Sequence, residues 1–246
     1  MFSSMQLNPP ISTPLEVSQT LKSQGFCLLE SSTLAQLTDL SMTELFGFGE
    51  YWNHLFEDQF LKDHGKYRLR RHSSYVVENR ETTLVPHRPH WQSLDFNALH
   101  GGIVRHFEPI DESLNLNPSW LKLIGEISKL FTANSSTDPW FTEAHQFRIT
   151  TAGGIGRPTP EGAHRDGVDF IAIVLIKRQA IKGGETRLFN LNGHDGIRFT
   201  LDQPWSVLLL DDHKIIHETT PIQGVDQEGY RDTLVLTYRQ HGFQGS

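Results

Sequence analysis

The sequence predicts a mainly β fold, a sandwich or barrel, with N-terminal helices packed on one outer face. Three observations carry that expectation. From about residue 140 onward, short β-branched apolar runs recur at regular spacing, each bounded by Gly, Pro, Asn or Asp. The first half instead shows cap residues and apolar residues at helical spacing. No linker, internal repeat or low-complexity stretch divides the two. The 246 residues therefore read as a single domain, 1–246, in which 1–139 are mainly helical and supporting segments and 140–240 the core strands.

In chain order, "STPLEVSQTLKSQG" opens with a Ser/Thr cap and a Pro and closes at Gly25, as a helix does. "GFCLLE" fits a short buried strand, and "SSTLAQLTDLSMTELFGFG" again starts on cap residues. The run "YRLRRH", residues 67–72, reads as a solvated strand face unless one arginine turns inward to meet an anionic substrate group. The histidines of "HRPH" (His87 and His90) and His194 in "NGHDG" read as turn residues. In "NPSWLKLIGEISKLFT", Trp120, Ile124, Ile127 and Phe131 recur at helical spacing. Then "AHQFRITT", "DFIAIVLIKR", "WSVLLLDD", "KIIHETTPI" and "RDTLVLTYR" supply strands, with "KGGETRLFNLNGHDG" as a hairpin segment between glycine turns. "AGGIGRPTPEG" has neither the strand before it nor the helix after it that a phosphate-binding loop needs, and is expected to shape a loop.

Composition excludes several classes of function. A formal net charge of −7 is wrong for a general nucleic-acid binder, which must neutralise phosphates. The single cysteine, Cys27, rules out an internal disulfide and a cysteine-based zinc site; in the apolar run "GFCLL" it reads as a buried, inert thiol. No apolar run is long enough to cross a bilayer, and the opening "MFSSMQLNPPISTP" lacks the basic start and apolar core of a signal peptide. A reduced, cytoplasmic setting is expected, with no membrane partner; oligomeric state is left open.

The chemistry centres on "PEGAHRDGVDF". His164 and Asp166 are separated by one residue, so in extended backbone imidazole and carboxylate project to the same face. His217 in "DDHKIIHETTPI" is the best third ligand, because a sheet or barrel closes that separation easily. Two histidines and one carboxylate form the facial set that leaves metal positions open in non-haem Fe(II) oxygenases. His213 competes for the third place through the spacing of "HKIIH", as in helical zinc motifs. The segment is β-branched and lacks the glutamate that such motifs require. On a strand, residues four apart lie about 13 Å from each other, so only one of the two histidines can be a ligand. On the final strand Arg231 and Thr233 share one face, and Leu234, Leu236 and Tyr238 share the other. An arginine fork binds both oxygens of a carboxylate, so Arg231 with Thr233 suggests a pocket for an acidic cosubstrate.

The ordered set H-x-D, "H-x-x-T-P" and R-x-T resembles the Fe(II)/2-oxoglutarate-dependent dioxygenases, and "GGET" and "WSVLLLDD" look like further pieces of their fold. "GRPTPEGAHRDGVDF", the upstream "HQFRI" and "LHGGIVRHFEPI" narrow the resemblance to the bacterial free L-amino-acid hydroxylases, of the L-isoleucine 4-hydroxylase and leucine hydroxylase type, over about residues 90 to 240. The resemblance implies a double-stranded β-helix, the cupin-like jelly roll. It implies Fe(II) on His164, Asp166 and His217, and 2-oxoglutarate anchored by Arg231 and Thr233. It implies hydroxylation of the side chain of a free aliphatic amino acid (leucine, isoleucine or methionine class), with 2-oxoglutarate and O2 converted to succinate and CO2. No clear motif carries the substrate residues; Arg148 and Arg165 are candidates either to meet the substrate carboxylate or to brace the site. Two alternatives stand beside this reading. One is the same chemistry on a carrier-bound, peptidyl or small natural-product substrate. The other is a metal-binding jelly roll without oxygenase activity, which would have no reason to place Arg231 where it is.

Overall fold

A computed structural model describes residues 9–79, 81–97, 99, 101–135, 139–193, 195–225 and 228–245. His194, expected in a turn, and the first eight residues of the N-terminal stretch lie outside the described residues. The chain begins with helix α1 (Val17–Gln24), strand β1 (Phe26–Leu29), helices α2 (Ser31–Thr38) and α3 (Met42–Gly47), and a 3-10 segment over Phe48–His54. Strands β2 (Phe56–Glu57), β3 (Arg68–Glu78) and β4 (Glu81–Leu84) follow, then helices α4 (Glu112–Asn115) and α5 (Pro118–Ser135). The remainder is strand: β5 (Trp140–Thr150), β6 (Ile155–Gly156), β7 (Phe170–Gln179), β8 (Ile181–Gly183) and β9 (Thr186–Asn190). It continues through β10 (Gly196–Phe199), β11 (Val207–Asp211), β12 (Ile215–Thr219), β13 (Ile222–Gly224) and β14 (Tyr230–Arg239).

The strands form a jelly roll. The large antiparallel sheet runs β1-β11-β7-β14-β5-β3-β2, with β4 on β3; two three-stranded sheets, β10-β9-β12 and β6-β13-β8, oppose it. Both faces of the large sheet are covered, so its central strands read as continuous apolar runs rather than alternating ones. On β7, Ala172 and Val174 pack toward the helices, whereas Ile171 and Leu175 join Leu188, Phe199 and Ile215 between the sheets. On β14, Leu234, Leu236 and Tyr238 face the helices, which leaves Arg231, Thr233 and Val235 pointing into the roll.

Helix α5 closes the outer layer. Trp120, Ile124, Ile127 and Phe131 are all buried against the sheet, a burial that contributes roughly 1.5–3 kcal/mol per side chain. Phe131 stacks on Phe170 with ring centroids 4.7 Å apart. The Tyr238 hydroxyl donates to the Ile124 carbonyl at 2.9 Å, tying the last strand to this helix. The N-terminal helix starts later than its cap residues suggest. The Glu16 carboxylate accepts from the Thr13 N–H at 3.0 Å and hydroxyl at 2.7 Å, so the first turn begins only at Val17. It ends at Gly25, whose φ of 78° is left-handed, and an added Cβ there would lie 3.0 Å from Lys214 Cβ. Cys27 is fully buried, and burial pushes its thiol up to about 11.

The sheet reaches further into the first half than the helical signals suggest. Strand β3 is eleven residues long and pairs with β5 along most of its length. Its Arg68 and Arg70 are buried, so this stretch of "YRLRRH" is not a solvated face. Among the described residues no helix is long and apolar enough to cross a membrane.

Candidate active site

Three predicted residues meet where the loop entering β7 lies against β12. His164 and His217 exchange two backbone hydrogen bonds, of 3.0 and 2.9 Å, which bring their rings to 4.7 Å. His164 Nε2 lies 3.4 Å from Asp166 Oδ1, and His217 Nε2 lies 3.9 Å from Asp166 Oδ2. One ligand atom from each of the three falls within 4.8 Å of the others. His213 stays outside: its side chain is two-thirds exposed and bonds Asp169 at 3.0 Å. Thus H-x-D does not sit within a strand, as extended geometry suggests; an isolated bridge, His164–His217, ties its first residue to β12.

The donor set fits a divalent cation. The Gly162 carbonyl accepts from His164 Nδ1 at 2.9 Å, so Nε2, the nitrogen that faces Asp166, is the one that would bind a metal on losing its proton. Burial disfavours a charged His164, yet Asp166 and then Glu161 outweigh it and push the imidazole up to about 9. Burial also opposes the Asp166 charge, but His164 and His217 hold its carboxyl well below the usual range. Burial and the neighbouring His164 push His217 down to about 4, so it is neutral. The partly buried carboxylate thus draws positive charge to a point that two imidazoles share, and an oxygen-and-nitrogen set of this kind suits Fe(II).

Sequence reading misses what holds Asp166. The buried Asp212 carboxylate accepts the backbone N–H groups of Asp166 (3.1 Å), Gly167 (2.8 Å) and Val168 (3.1 Å). Burial and then the Asp166 charge push Asp212 up to about 7, against the pull of those donors. Gly167 has a φ of 74°, and a Cβ there would lie 2.4 Å from the Phe96 ring, so the chain can turn only on glycine. Gln92 and Gln244 donate to the Asp166 carbonyl at 3.3 and 3.0 Å. "DD" at the end of an apolar strand is the one sequence signal for Asp212: a second acid carried into the interior.

Arg231 and Thr233 line the same cavity as the three donors, with Ile149, Ile173 and Val235 as its apolar wall. Arg231 is buried, and its Nε has no partner. Burial and then the charge of Arg178 pull it down to about 10, while Asp232 opposes them. The two candidate substrate residues, Arg148 and Arg165, are not among the side chains that line this cavity. Arg148 forms a two-bond fork with Asp232, both contacts 2.7 Å, because it occupies the opposite face of β5 from Phe147 and Ile149. Arg165 points away from its flanking ligands, donates to the Asp212 carbonyl at 3.2 Å, and lies over Phe96 at 5.3 Å. Both positions match bracing rather than substrate contact.

The cavity has instead a second charged region. Arg68 donates to Asp58 through Nε at 2.8 Å, and Arg70 lies 3.6 Å from the same carboxylate. Arg70 also donates to His145 Nδ1 at 2.7 Å and sits 3.6 Å from the Phe107 ring centre. Glu143 lies 3.1 Å from His72 Nε2 and 3.4 Å from His90 Nδ1. His90 is therefore not a turn residue: it pairs with Arg105 through two 2.9 Å backbone hydrogen bonds and points inward. Burial pushes His90 down to about 4 despite Glu143, and it likewise keeps His72 and His145 low. His72, His90, Glu143 and His145 also bring ligand atoms within 4.8 Å. Arg70 occupies one of those nitrogens, and its charge disfavours a dication beside it.

Fold and site together define an oxygenase of the jelly-roll type. The family model described as 2OG-Fe dioxygenase matches residues 49–237, and the chain belongs to that family. It is an enzyme whose cofactor is Fe(II) and whose cosubstrate is 2-oxoglutarate. The chain is 26% identical over 198 residues to L-isoleucine-4-hydroxylase of Bacillus thuringiensis, a match that covers 77% of this chain and 80% of that one. Among solved structures, a bsmA homolog from Methylobium petroleophilum PM1 superposes with a TM-score of 0.91 and 46% identity, covering 100% of this chain and 99% of that chain. IDO from Bacillus thuringiensis shares the fold, with a TM-score of 0.74 and 20% identity over 93% of this chain and 99% of that one.

Proposed function

We propose that the chain, as one domain, hydroxylates the side chain of a free aliphatic L-amino acid of the leucine, isoleucine and methionine class. In this reading His164, Asp166 and His217 hold Fe(II). Arg231, helped by Thr233, holds the far carboxylate of 2-oxoglutarate. The observation that carries it is the convergence of the three donors in a cavity that also contains the buried Arg231. When loaded, a centre of this class couples conversion of 2-oxoglutarate and O2 to succinate and CO2 with oxygen insertion at an unactivated C–H bond.

The protein supplies binding, orientation and exclusion of water. Asp212 fixes the loop that aims Asp166, and the Gly162 carbonyl fixes the His164 tautomer. Arg231 offers a guanidinium whose desolvation is already met in the folded state, so a carboxylate reaching it gains a strong charge-assisted bond. Ile149, Ile173 and Val235 line the cavity with apolar surface, which suits an aliphatic side chain. The relationship to L-isoleucine-4-hydroxylase supports the substrate class. A reduced, cytoplasmic setting is compatible with the single buried Cys27.

The test is aerobic incubation with mixtures of free amino acids, followed by mass spectrometry. A product heavier by one oxygen, formed one-for-one with succinate, is expected for the wild type and is abolished by Asp166→Ala. Full turnover by that variant would refute the ligand assignment. No product from any free amino acid would move the reading to a carrier-bound or peptidyl substrate.

A further inference from the structure

We propose that Arg105 and Glu143 form the receptor for the zwitterionic head of the substrate, Arg105 taking the α-carboxylate and Glu143 the α-ammonium. This rests on the reading above that the substrate is a free amino acid, and it names the residues that would recognise one.

Arg105 is 3% exposed and lines the cavity. Its Nε and Nη2 have no hydrogen-bond partner, and among the described residues no carboxylate oxygen lies within 4.0 Å of its guanidinium. Burying a guanidinium in that state is costly unless a ligand completes it. The other two arginines of the cluster are already engaged, Arg68 on Asp58 and Arg70 on both Asp58 and His145. Arg70 keeps a free Nε, but Arg105 is the one of the three with two unpartnered guanidinium nitrogens and, among the described residues, no ion pair. Its position is fixed by the backbone pairing with His90, and its charge is felt by both Glu161 and Glu143.

Glu143 supplies the opposite charge. It is 5% exposed, lines the same cavity, and stays ionised because His90 and His72 outweigh the cost of burial. Its partners are ring nitrogens of His72 and His90 at 3.1 and 3.4 Å, and among the described residues no lysine or arginine nitrogen lies within 4.0 Å of its carboxylate. A fixed cation and a fixed anion that do not pair with each other, on the wall of the cavity containing the metal donors, specify two points of the ligand. The aliphatic chain supplies the third, so the arrangement also selects hand.

The test begins with wild-type holoenzyme and the amino acid that gives most product. Its carboxamide and its N-acetyl derivative should each be turned over with kcat/KM reduced about 30-fold or more, since each loses one charged contact in a desolvated site. Arg105→Gln should raise KM for the amino acid by a similar factor. In that variant KM for 2-oxoglutarate should stay within about twofold, and the anaerobic visible charge-transfer band formed with Fe(II) and 2-oxoglutarate should persist, which shows a folded, loaded site. Glu143→Gln should do the same, and Arg105→Lys should recover part of the loss. Equal use of the amino acid and both blocked derivatives overturns the proposal while leaving the amino-acid hydroxylase reading intact. So does an Arg105→Gln defect confined to 2-oxoglutarate. If no free amino acid is hydroxylated at all, the functional reading and this inference fail together.

Discussion

Asp212 lies outside the donor set, yet it sets where the donor set can be. Three backbone N–H groups of the Asp166 loop converge on its carboxylate, so it acts on the site through position. In Asp212→Asn an amide NH2 must face some of those donors, and the loop should loosen. Partners of this kind typically change metal affinity about 10–100-fold. Anaerobic Fe(II) titration in the presence of 2-oxoglutarate should show that weakening, and an unchanged midpoint would mean the loop holds without Asp212. Arg231 gives a different signature. Its Nε is buried and free, so Arg231→Gln should raise KM for 2-oxoglutarate by about 30-fold or more with metal affinity intact. A defect in Fe(II) binding alone would argue against that role.

Helix α3 shows an element stabilised by its own end. The Ser41 hydroxyl accepts the Glu44 N–H at 3.2 Å, and the Glu44 carboxylate accepts the Ser41 N–H at 2.8 Å, a reciprocal capping box. Ser41→Ala should cost about 1 kcal/mol, read as a fall in melting temperature of about 2–4 °C, with kinetic constants unchanged. No fall would show that tertiary packing alone holds the turn. The elements divide in how legible they are. Strand β14 is readable because its two faces differ in kind: Leu234, Leu236 and Tyr238 toward the helices, Arg231 and Thr233 toward the site. Helix α5 is readable because one apolar stripe repeats at 3.6 residues. Strand β3 defeats the same rule. Its inner face carries Arg68, Arg70 and His72 into a charged cavity, so charge no longer marks the outside. The matching pair Glu143 and His145 on β5 is the signal that completes it, for two neighbouring strands each carry charged residues two apart. His164, Asp166 and His217 stand out through spacing, whereas Glu143 and Arg105 join the cavity only through strand pairing that spacing does not encode.

At the scale of the whole molecule, burying imidazoles links stability to acidity with a definite sign. Burial pushes His90 down to about 4 and holds His72 and His145 below their ordinary values. The unfolded chain takes up those protons below about pH 6.5, where the folded chain still excludes them. Unfolded protein therefore binds more protons, and stability must fall as pH drops from about 6.5 toward 4. His90 alone can remove up to about 3 kcal/mol across that window, at a slope near 1.4 kcal/mol per pH unit. Asp212, pushed up to about 7, opposes part of this slope, because between about pH 7 and 4 it is the folded chain that holds the extra proton. His164, pushed up to about 9, is protonated in both states below about pH 6.5, so its contribution is full there and is lost progressively as pH rises from about 6.5 to 9. Glu143, held low, begins to lose its contribution only as pH falls below the ordinary carboxylate range. His217, also low, adds to the same acid slope as His90. Urea unfolding of the chelator-treated protein at pH 7, 6 and 5 should show stability dropping at each step. His90→Gln, which cannot titrate, should flatten the slope by about 1.4 kcal/mol per unit. Identical slopes for variant and wild type would mean that His90 takes up its proton as readily in the folded as in the unfolded chain. Below about pH 6.5 Glu143 would then already carry a full cationic partner and would have little left to offer a substrate ammonium.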